Sequence, residues 1–276
     1  METKAKILII GANGYIGENF ANYAQDEFQI NTVNSHKEWK WTDFSGYTSI
    51  LFAAGIAHRK ETEENKHLYY EVNHYLALDV AKKAKAANVP QFIYLSTMSV
   101  FGDANTEIAI TDTPSPINNY GRSKFEAEES LADLASDDFN IAIIRPPMVY
   151  GKNCPGKFQE LVKLSKYMPI VPDTKNLRSM IFIDNLSEFL CTIIRENAHG
   201  TFHPQNSMHI NTACLIELIR QEAGKKTFKS QLLGVLAKTL FPICPPLKNA
   251  FGSIYYTRKE EAYQKISLES SVKRSI

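Results

Sequence analysis

A tyrosine and a lysine four positions apart, Tyr120 and Lys124, are the side chains of this sequence with the clearest capacity for chemistry. Residues at that spacing share one face of a helix. A lysine ammonium beside a phenol favours the phenolate, so we expect the pKa of Tyr120 to fall from about 10 toward the working pH. Tyr120 would then exchange a proton with a substrate oxygen, although the same spacing also fits a structural tyrosine–lysine pair.

A hydroxyl-rich segment precedes this pair. The run Gln91 to Leu95 reads as a buried strand, and it is followed at once by Ser96, Thr97 and Ser99. The hydroxyl of Thr97 could polarise the same substrate oxygen as Tyr120. We therefore predict Thr97, Tyr120 and Lys124 as the catalytic set, brought together by a strand end and the start of a helix.

A glycine-rich turn near the N-terminus could hold the hydride donor for such chemistry. The apolar run Ile7 to Ile10 predicts a strand, Gly11, Gly14 and Gly17 follow at spacings of three, and a helix is expected over 15–25. Strand, glycine turn and helix together are the context of a dinucleotide fingerprint. The first glycine allows the tight turn, the second lets a pyrophosphate approach, and the third lets the helix pack closely. A glycine turn without a ligand is the alternative.

The residues after the second predicted strand, 28–33, bear on the choice of cofactor. An acid at that place favours NAD by bonding the ribose hydroxyl, and Asn34, Ser35, His36 and Lys37 include none. We therefore expect NADPH to be favoured, with NADH as the alternative. Asp43 and Phe44 follow, where the carboxylate could bond the adenine or simply form a turn.

Strands and helices alternate through the first half of the chain, which predicts an α/β fold with a Rossmann-type doubly wound parallel sheet. A strand over 49–54 ends in Ala53, Ala54 and Gly55, small residues against which a cofactor could lie. A long helix is expected over 69–88. We place the cofactor domain at 1–150 and a smaller mixed α/β substrate lobe at 151–276, with 178–200 as a segment that could return to the first domain.

Composition excludes several classes of function. The chain has 276 residues, is 44% hydrophobic and 22% charged, and carries a net charge of +1, so it lacks the electrostatic footprint of a nucleic-acid-binding protein. The four cysteines form no paired motif, and no metal site is predicted. Neither a signal peptide nor a membrane-spanning apolar run is evident, so we expect a cytoplasmic protein. The segment 232–240 is expected to pack in the core, with membrane-surface association as the alternative.

These motifs resemble those of the extended short-chain dehydrogenase/reductases, in the NAD-dependent epimerase/dehydratase group that acts on nucleotide sugars. The resemblance covers nearly the whole chain, from Gly11–Gly17 through Thr97, Tyr120 and Lys124 to Arg178. It implies that Asn73 is a structural helix asparagine, that 145–151 lies beside the nicotinamide, and that Arg178 binds the diphosphate of the substrate. It also implies a homodimer formed through the helices predicted over 69–88 and 120–135.

Two stretches, 145–159 and 200–205, are similar to capsule-biosynthesis reductases that act on a UDP-4-keto-6-deoxy-N-acetylhexosamine. This implies NAD(P)H-dependent reduction of a C4 ketone in the synthesis of a surface polysaccharide precursor, with a UDP-hexose or UDP-N-acetylhexosamine 4-epimerase as the alternative. Dehydratases of the group carry an Asp–Glu pair after the catalytic hydroxyl, where this chain has Met98 and Ser99. Met148 replaces the asparagine of many epimerases.

The resemblance completes the predicted site. The substrate is expected to contact Thr97, Tyr120 and Arg178. The residues expected to bind the cofactor are Gly11, Asn13, Gly14, Tyr15, Ile16, Gly17, Asn34, Ser35, Asp43, Phe44, Ala53, Ala54, Gly55, Tyr120, Lys124, Pro147 and Val149.

Overall fold

The computed structural model describes residues 4–34, 37–57, 61–102, 106–257 and 265–276. The strands are β1 (Lys6–Ile10), β2 (Gln29–Val33), β3 (Ser49–Phe52), β4 (Gln91–Leu95), β5 (Thr106–Ile108), β6 (Asn140–Ile144), β7 (Met148–Tyr150), β8 (Ile170–Pro172), β9 (Met180–Phe182), β10 (Gly200–Phe202), β11 (Phe228–Ser230) and β12 (Ile254–Tyr256). The helices are α1 (Tyr15–Ala24), α2 (Lys66–Tyr70), α3 (Leu76–Ala86), α4 (Asn119–Ala132), α5 (Lys157–Ser165), α6 (Ile183–Arg195), α7 (Thr212–Glu222), α8 (Gln231–Leu240), α9 (Pro245–Phe251) and α10 (Leu268–Ser275). A π-helical turn, Glu71–Tyr75, joins α2 to α3.

The chain forms two compact units, and each of them draws on several segments. The first contains Met1–Asp103, Thr113–Pro146 and Ile183–Pro204, and the second contains Ala104–Asp112, Pro147–Phe182 and Gln205–Ile276.

A parallel sheet of six strands forms the centre of the first unit, in the order β10-β6-β4-β3-β1-β2. The chain passes from β1 outward to β2 and then crosses to β3 on the other side of β1. The strand order therefore reverses between β1 and β3, and ligands of open α/β sheets bind beyond the carboxyl ends of strands at such a point. The predicted doubly wound Rossmann-type sheet is confirmed.

Alternating residues of the strands cover both faces of this sheet. Leu8, Ile50 and Phe92 belong to a cluster that also contains alanines and aliphatic residues of α3 and α4. The intervening Ile7 and Ile93 are also fully buried. The central strands are therefore continuous apolar runs in the sequence. Strands of a parallel sheet that is covered on both faces have this pattern.

The second unit contains three two-stranded parallel pairs, β8 with β11, β5 with β12, and β7 with β9. The predicted core packing of 232–240 is wrong, because α8 exposes its large apolar side chains, with Leu232 80% exposed. Across the residues described by the structure, no helix combines the length and apolar character needed to cross a membrane.

Candidate active site

The glycine turn between β1 and α1 lies at the point where the strand order reverses. Gly11 has φ +90°, and a Cβ on it would lie 2.5 Å from the backbone of Ala54. A Cβ on Gly17 would lie 2.9 Å from the carbonyl oxygen of Gly11. Both positions therefore require glycine so that β1, β3 and α1 can approach closely.

Gly14 is the N-cap of α1 and has no side chain to bond the first N–H groups of the helix. Asn13 and Gly14 are exposed, and Tyr15 and Ile16 are half-buried. The start of α1 therefore offers N–H groups and a partial positive charge beside an open surface, which fits a pyrophosphate.

The residues at the end of β3 lie on the other side of the point where the strand order reverses. Ala53 donates its N–H to Ile10 (2.9 Å), so its backbone continues the pairing of β1 and β3. A Cβ on Gly55 would lie 3.2 Å from both the Nζ of Lys124 and the Oδ1 of Asn73. Gly55 thus gives the lysine room to reach the carboxyl edge of the sheet.

The structure brings the side chains of Thr97 and Tyr120 together, because Thr97 acts on the phenol and lowers its pKa against the effect of burial. Thr97 follows β4 directly and is the N-cap of a 3-10 turn, Met98–Phe101, where its Oγ1 accepts a hydrogen bond from the N–H of Ser99 (3.1 Å). Tyr120 lies in the first turn of α4, which Asn118 caps by accepting from the N–H of Gly121 (2.8 Å). Two local caps therefore set the position of the hydroxyl pair.

The pKa of Tyr120 is raised, and this is opposite to the direction expected from the sequence. Burial is the main cause, the neighbouring side chain of Thr97 opposes it, and Tyr69 adds to it. The expected decrease requires a charged lysine beside the phenol, whereas burial of the phenol dominates in the folded chain. Tyr120 is therefore protonated at neutral pH and suited to donate a proton.

Lys124 is buried at the end of β4 and one turn after Tyr120 on α4. Its Nζ donates to the carbonyl oxygen of Leu95 (2.8 Å) and lies 4.7 Å from the ring centroid of Tyr94. Burial lowers the pKa of Lys124 to about 7, and the carboxylate of Glu128 partly opposes that shift. The lysine can therefore carry or release a proton near neutral pH.

Asn73 of the π-helical turn and Tyr94 of β4 lie close to this lysine. Asn73 lies in the π-helical turn, a feature that often occurs at functional sites. Its side chain accepts from the N–H of Ile56 (2.8 Å) and donates to Ser123 (3.0 Å). The backbone carbonyl oxygen of Asn73 accepts a hydrogen bond from the hydroxyl of Tyr94 (2.7 Å). Asn73 thus connects the end of β3 with α4.

Replacing Lys124 by methionine should stabilise the fold, although the change removes a predicted catalytic group. Below its folded pKa of about 7 the buried lysine is charged, and the folded state then bears the full cost of that charge. The cost decreases as pH rises from about 7 to about 10.4, the pKa of an unfolded lysine. We expect the K124M variant to raise Tm clearly at about pH 6 and less at about pH 9.

The control for this experiment is the same change at Lys82, which is exposed on α3. Thermal unfolding of K82M should differ from that of the unaltered chain by the same amount at both pH values. A K124M variant that is less stable than the unaltered chain at about pH 6 would show that the Leu95 hydrogen bond outweighs the cost of burial.

Glu38, which was not among the predicted residues, places a carboxylate at the end of β2. The carboxylate of Glu38 accepts a hydrogen bond from the N–H of Asn34 (3.3 Å), the first residue after the strand. Glu38 lies in a 3-10 turn, Glu38–Lys40, and follows the four positions at which an acid would favour NAD. Ser35, also predicted to contact the cofactor, lies outside the described residues.

Asp43 and Phe44 have local structural partners. The carboxylate of Asp43 is exposed and accepts from the N–H of Ser45 (2.9 Å), which lowers its pKa. The side chain of Phe44 is buried in the core, with the Nζ of Lys83 4.8 Å from its ring centroid. The contact predicted between this segment and the adenine stays a prediction.

A buried ion pair that was not predicted from the sequence lies beneath α4. Arg145, just after β6, donates from Nε and Nη2 to the carboxylate of Glu128 on α4, at 3.1 and 2.6 Å. The hydroxyl of Ser96 donates to the same carboxylate. Glu128 is 3% and Arg145 9% exposed. The pair joins α4 to the ends of β4 and β6, the two strands next to the site.

The remaining predicted residues belong to the second unit. Val149 pairs with Ile181 in register between β7 and β9, and Pro147 is buried just before β7. The Nη1 of Arg178 donates to the carbonyl oxygens of Asn249 (2.9 Å) and Gly252 (3.0 Å), and burial lowers the pKa of this guanidinium. These bonds hold the end of α9, and the diphosphate contact of Arg178 stays a prediction.

A Rossmann-type sheet with a threonine, a tyrosine and a lysine at its carboxyl edge defines the short-chain dehydrogenase/reductase class predicted from the sequence. A family model described as the RmlD substrate binding domain matches residues 5–243, and the chain belongs to that family.

Relatives that align with most of the chain are sugar epimerases. A UDP-glucose 4-epimerase from Vibrio cholerae is 29% identical over 254 residues, covering 81% of this chain and 77% of the relative. An N-acetyl-alpha-D-glucosaminyl-diphospho-ditrans,octacis-undecaprenol 4-epimerase from Escherichia coli O157:H7 is 25% identical over 264 residues, covering 86% and 79%. The predicted enzyme class, the nucleotide-sugar reductases and epimerases, is confirmed.

Solved structures of both reaction types share the fold. A dTDP-4-dehydrorhamnose reductase from Bacillus anthracis in complex with NADP has a TM-score of 0.69 at 21% identity, covering 82% of this chain and 83% of that one. MoeE5 in complex with UDP-glucose and NAD has a TM-score of 0.74 at 14% identity, covering 98% and 97%. At these identities the likeness concerns the fold.

Proposed function

We propose that this protein reduces the C4 ketone of a nucleotide sugar with a bound nicotinamide dinucleotide, and that the substrate is a UDP-4-keto-6-deoxy-N-acetylhexosamine. The neighbouring hydroxyls of Thr97 and Tyr120 carry the proposal, because two hydroxyls at one place can bind a carbonyl oxygen and protonate it. The nicotinamide supplies the hydride when it is bound. Tyr120 donates the proton to the forming alkoxide, and Thr97 bonds the same oxygen.

The protonation state of Tyr120 supports the reductive direction. Its pKa is raised, so the phenol holds its proton at neutral pH. Reduction of a ketone consumes a proton at the oxygen, whereas oxidation of an alcohol, the first step of a 4-epimerase, needs a base there. The sequence adds that Met98 and Ser99 offer no carboxylate for elimination of water.

A 4-epimerase is the second candidate, and the two relatives named above favour it. One assay separates the two functions. Purified protein is incubated with NADH or NADPH and a UDP-4-keto-6-deoxy-N-acetylhexosamine, and loss of nicotinamide absorbance and the product are followed. Stoichiometric consumption is expected. Interconversion of UDP-hexoses without consumption would establish the epimerase instead. Because one relative acts on an undecaprenyl diphosphate-linked sugar, that substrate belongs in the same assay.

The residues at the point of strand reversal fit a dinucleotide. The open start of α1 would hold the pyrophosphate, and the small residues Ala53 and Ala54 would lie along the cofactor. Lys124 would bond the nicotinamide ribose, and Arg178 would hold the substrate diphosphate. Glu38 bears on the adenosine ribose, since its carboxylate is placed at the end of β2. A carboxylate there bonds a ribose 2′-hydroxyl and repels a 2′-phosphate, so Glu38 favours NADH and opposes the expectation of NADPH.

Replacing Glu38 by alanine should therefore shift cofactor binding toward NADPH. We expect the ratio of the NADPH to the NADH dissociation constant to fall on the order of tenfold, because one repulsive charge is removed. Nicotinamide fluorescence with the purified protein measures both constants without turnover. Asp26→Ala, the loss of an exposed acid after α1, serves as the control. An unchanged ratio in E38A would rule out a role of Glu38 in selecting the cofactor.

A further inference from the structure

Helix α8 is built with its small residues inward and its large apolar residues outward. Gly234 and Ala237 are its buried residues, and a Cβ on Gly234 would lie 2.1 Å from the carbonyl oxygen of Asp173. The backbone of α8 therefore lies close to the rest of the second unit. Leu232, Val235 and Leu236 point away, at 80%, 63% and 55% exposure. This arrangement is the reverse of that in an ordinary surface helix.

The exposed apolar residues continue beyond both ends of α8. Ile243 follows the helix and is 78% exposed, and Phe228 in β11 precedes it at 66% exposure. Phe228 pairs in register with Ile170 of β8, which is itself 53% exposed. We define the α8 surface as Phe228, Leu232, Val235, Leu236 and Ile243. Five large apolar side chains exposed within sixteen residues indicate a binding surface, whereas isolated exposed apolar residues would not.

The chain segment that forms the α8 surface carries only positive side chains, and the acids nearest to it, Asp173 and Glu217, belong to other segments. The chain has no aspartate or glutamate from 223 to 257. The same span contains Lys225, Lys226, Lys229, Lys238 and Lys248, all of them exposed. Lys229 pairs with Glu217 of α7 at 2.6 Å, so part of its charge is compensated. An apolar helix face flanked by lysines complements an anionic surface that has an apolar interior.

We propose that the α8 surface docks this protein onto a membrane rich in anionic lipid. The apolar side chains would enter the boundary of the acyl chains, and the lysines would lie among the phosphate headgroups. A second copy of the chain is a poorer occupant, because a symmetric contact would bring two lysine-rich faces together. Association of this kind needs no spanning helix.

Flotation of the full chain with lipid vesicles tests the proposal. Wild-type protein should float with vesicles in which phosphatidylglycerol replaces about a third of the phosphatidylcholine, and binding should weaken with added salt. The variant L232S/V235S/L236S should bind at least about tenfold more weakly, since it removes the apolar contacts. The variant K225Q/K226Q should lose most of its preference for anionic over pure phosphatidylcholine vesicles.

The control is Trp41→Ser, which removes an equally exposed apolar side chain (88%) from the first unit and should leave flotation unchanged. Far-UV circular dichroism and turnover of a soluble substrate check that each variant is folded. Wild-type protein that stays unbound to anionic vesicles, or a triple variant that floats as well as wild type, would overturn the proposal. A wild-type dimer that the triple variant converts to a monomer, with neither form floating, would identify a contact between copies and overturn it too.

Discussion

Replacing Tyr120 by phenylalanine is expected to lower turnover at least about a hundredfold, because it removes the proton donor for the forming alkoxide. The change should leave the fold intact. The ring, whose centroid lies 6.5 Å from that of Tyr69, is kept in phenylalanine. Thr97 keeps its bond from the N–H of Ser99 when the phenol is lost. The measurement is kcat for reduction of the ketosugar, with cofactor affinity determined separately.

The pH dependence of turnover is a second test of the role of Tyr120. The pKa of Tyr120 is raised, and a proton donor works only while it is protonated. The rate of reduction in wild type should therefore hold through neutral pH and decline at alkaline pH, as the pH passes the raised pKa. The residual rate of Y120F should lack that decline.

Tyr23→Phe is a matched control, since it also removes one phenol hydroxyl, here bonded to Glu188 (2.7 Å) and distant in sequence from the site. Its turnover should stay within a few-fold of wild type. Turnover of Y120F near the wild-type value would refute the role proposed for Tyr120 and with it the mechanism.

The parts of this protein that could be predicted from sequence are those set by local pattern. The strand Gln91–Leu95 was predicted at its observed bounds, because five buried residues lie between a proline-stopped helix and a hydroxyl cluster. The association of Thr97 with Tyr120 could be anticipated in the same way, because a strand end and a helix start in a parallel sheet meet at one edge.

The features that were missed depend on contacts distant in sequence. The pairing of β5 with β12 joins segments about 150 residues apart, and strands of three residues are too short to show an alternating pattern. The place of Glu38 beside the end of β2 was not predicted, because it depends on tertiary structure that the sequence pattern does not show. The outward face of α8 could not be told from a buried one, since periodicity shows that a helix has an apolar stripe but not which side is covered.

The direction in which the pKa of Tyr120 shifts could not be predicted from the sequence either. The four-residue spacing predicts Lys124 on the same face of α4 as Tyr120. It carried no information on burial, which raises the pKa of the tyrosine and lowers that of the lysine. The shift expected from spacing alone therefore has the wrong sign, because the cost of removing the charge of the phenolate from water sets its direction.

Replacing Glu128 by alanine is expected to reduce the free energy of unfolding by about 3–5 kcal/mol, which is a large fraction of the stability of a typical domain. The loss arises because Arg145, only 9% exposed, would remain buried without its carboxylate partner. The hydroxyl of Ser96 would lose its acceptor as well. Urea unfolding measures the change, and Glu129→Ala, an exposed neighbour on α4, should cost far less.

The double variant E128L/R145M separates stability from positioning. Removing both charges leaves no buried arginine without its carboxylate partner, so most of the lost stability should return. Turnover should not return with it, because the pair also fixes α4, which carries Tyr120 and Lys124, against the ends of β4 and β6. Recovery of kcat together with stability would reduce the ion pair to a structural role. A loss below about 1 kcal/mol in E128A would contradict the inference that Arg145 depends on this carboxylate.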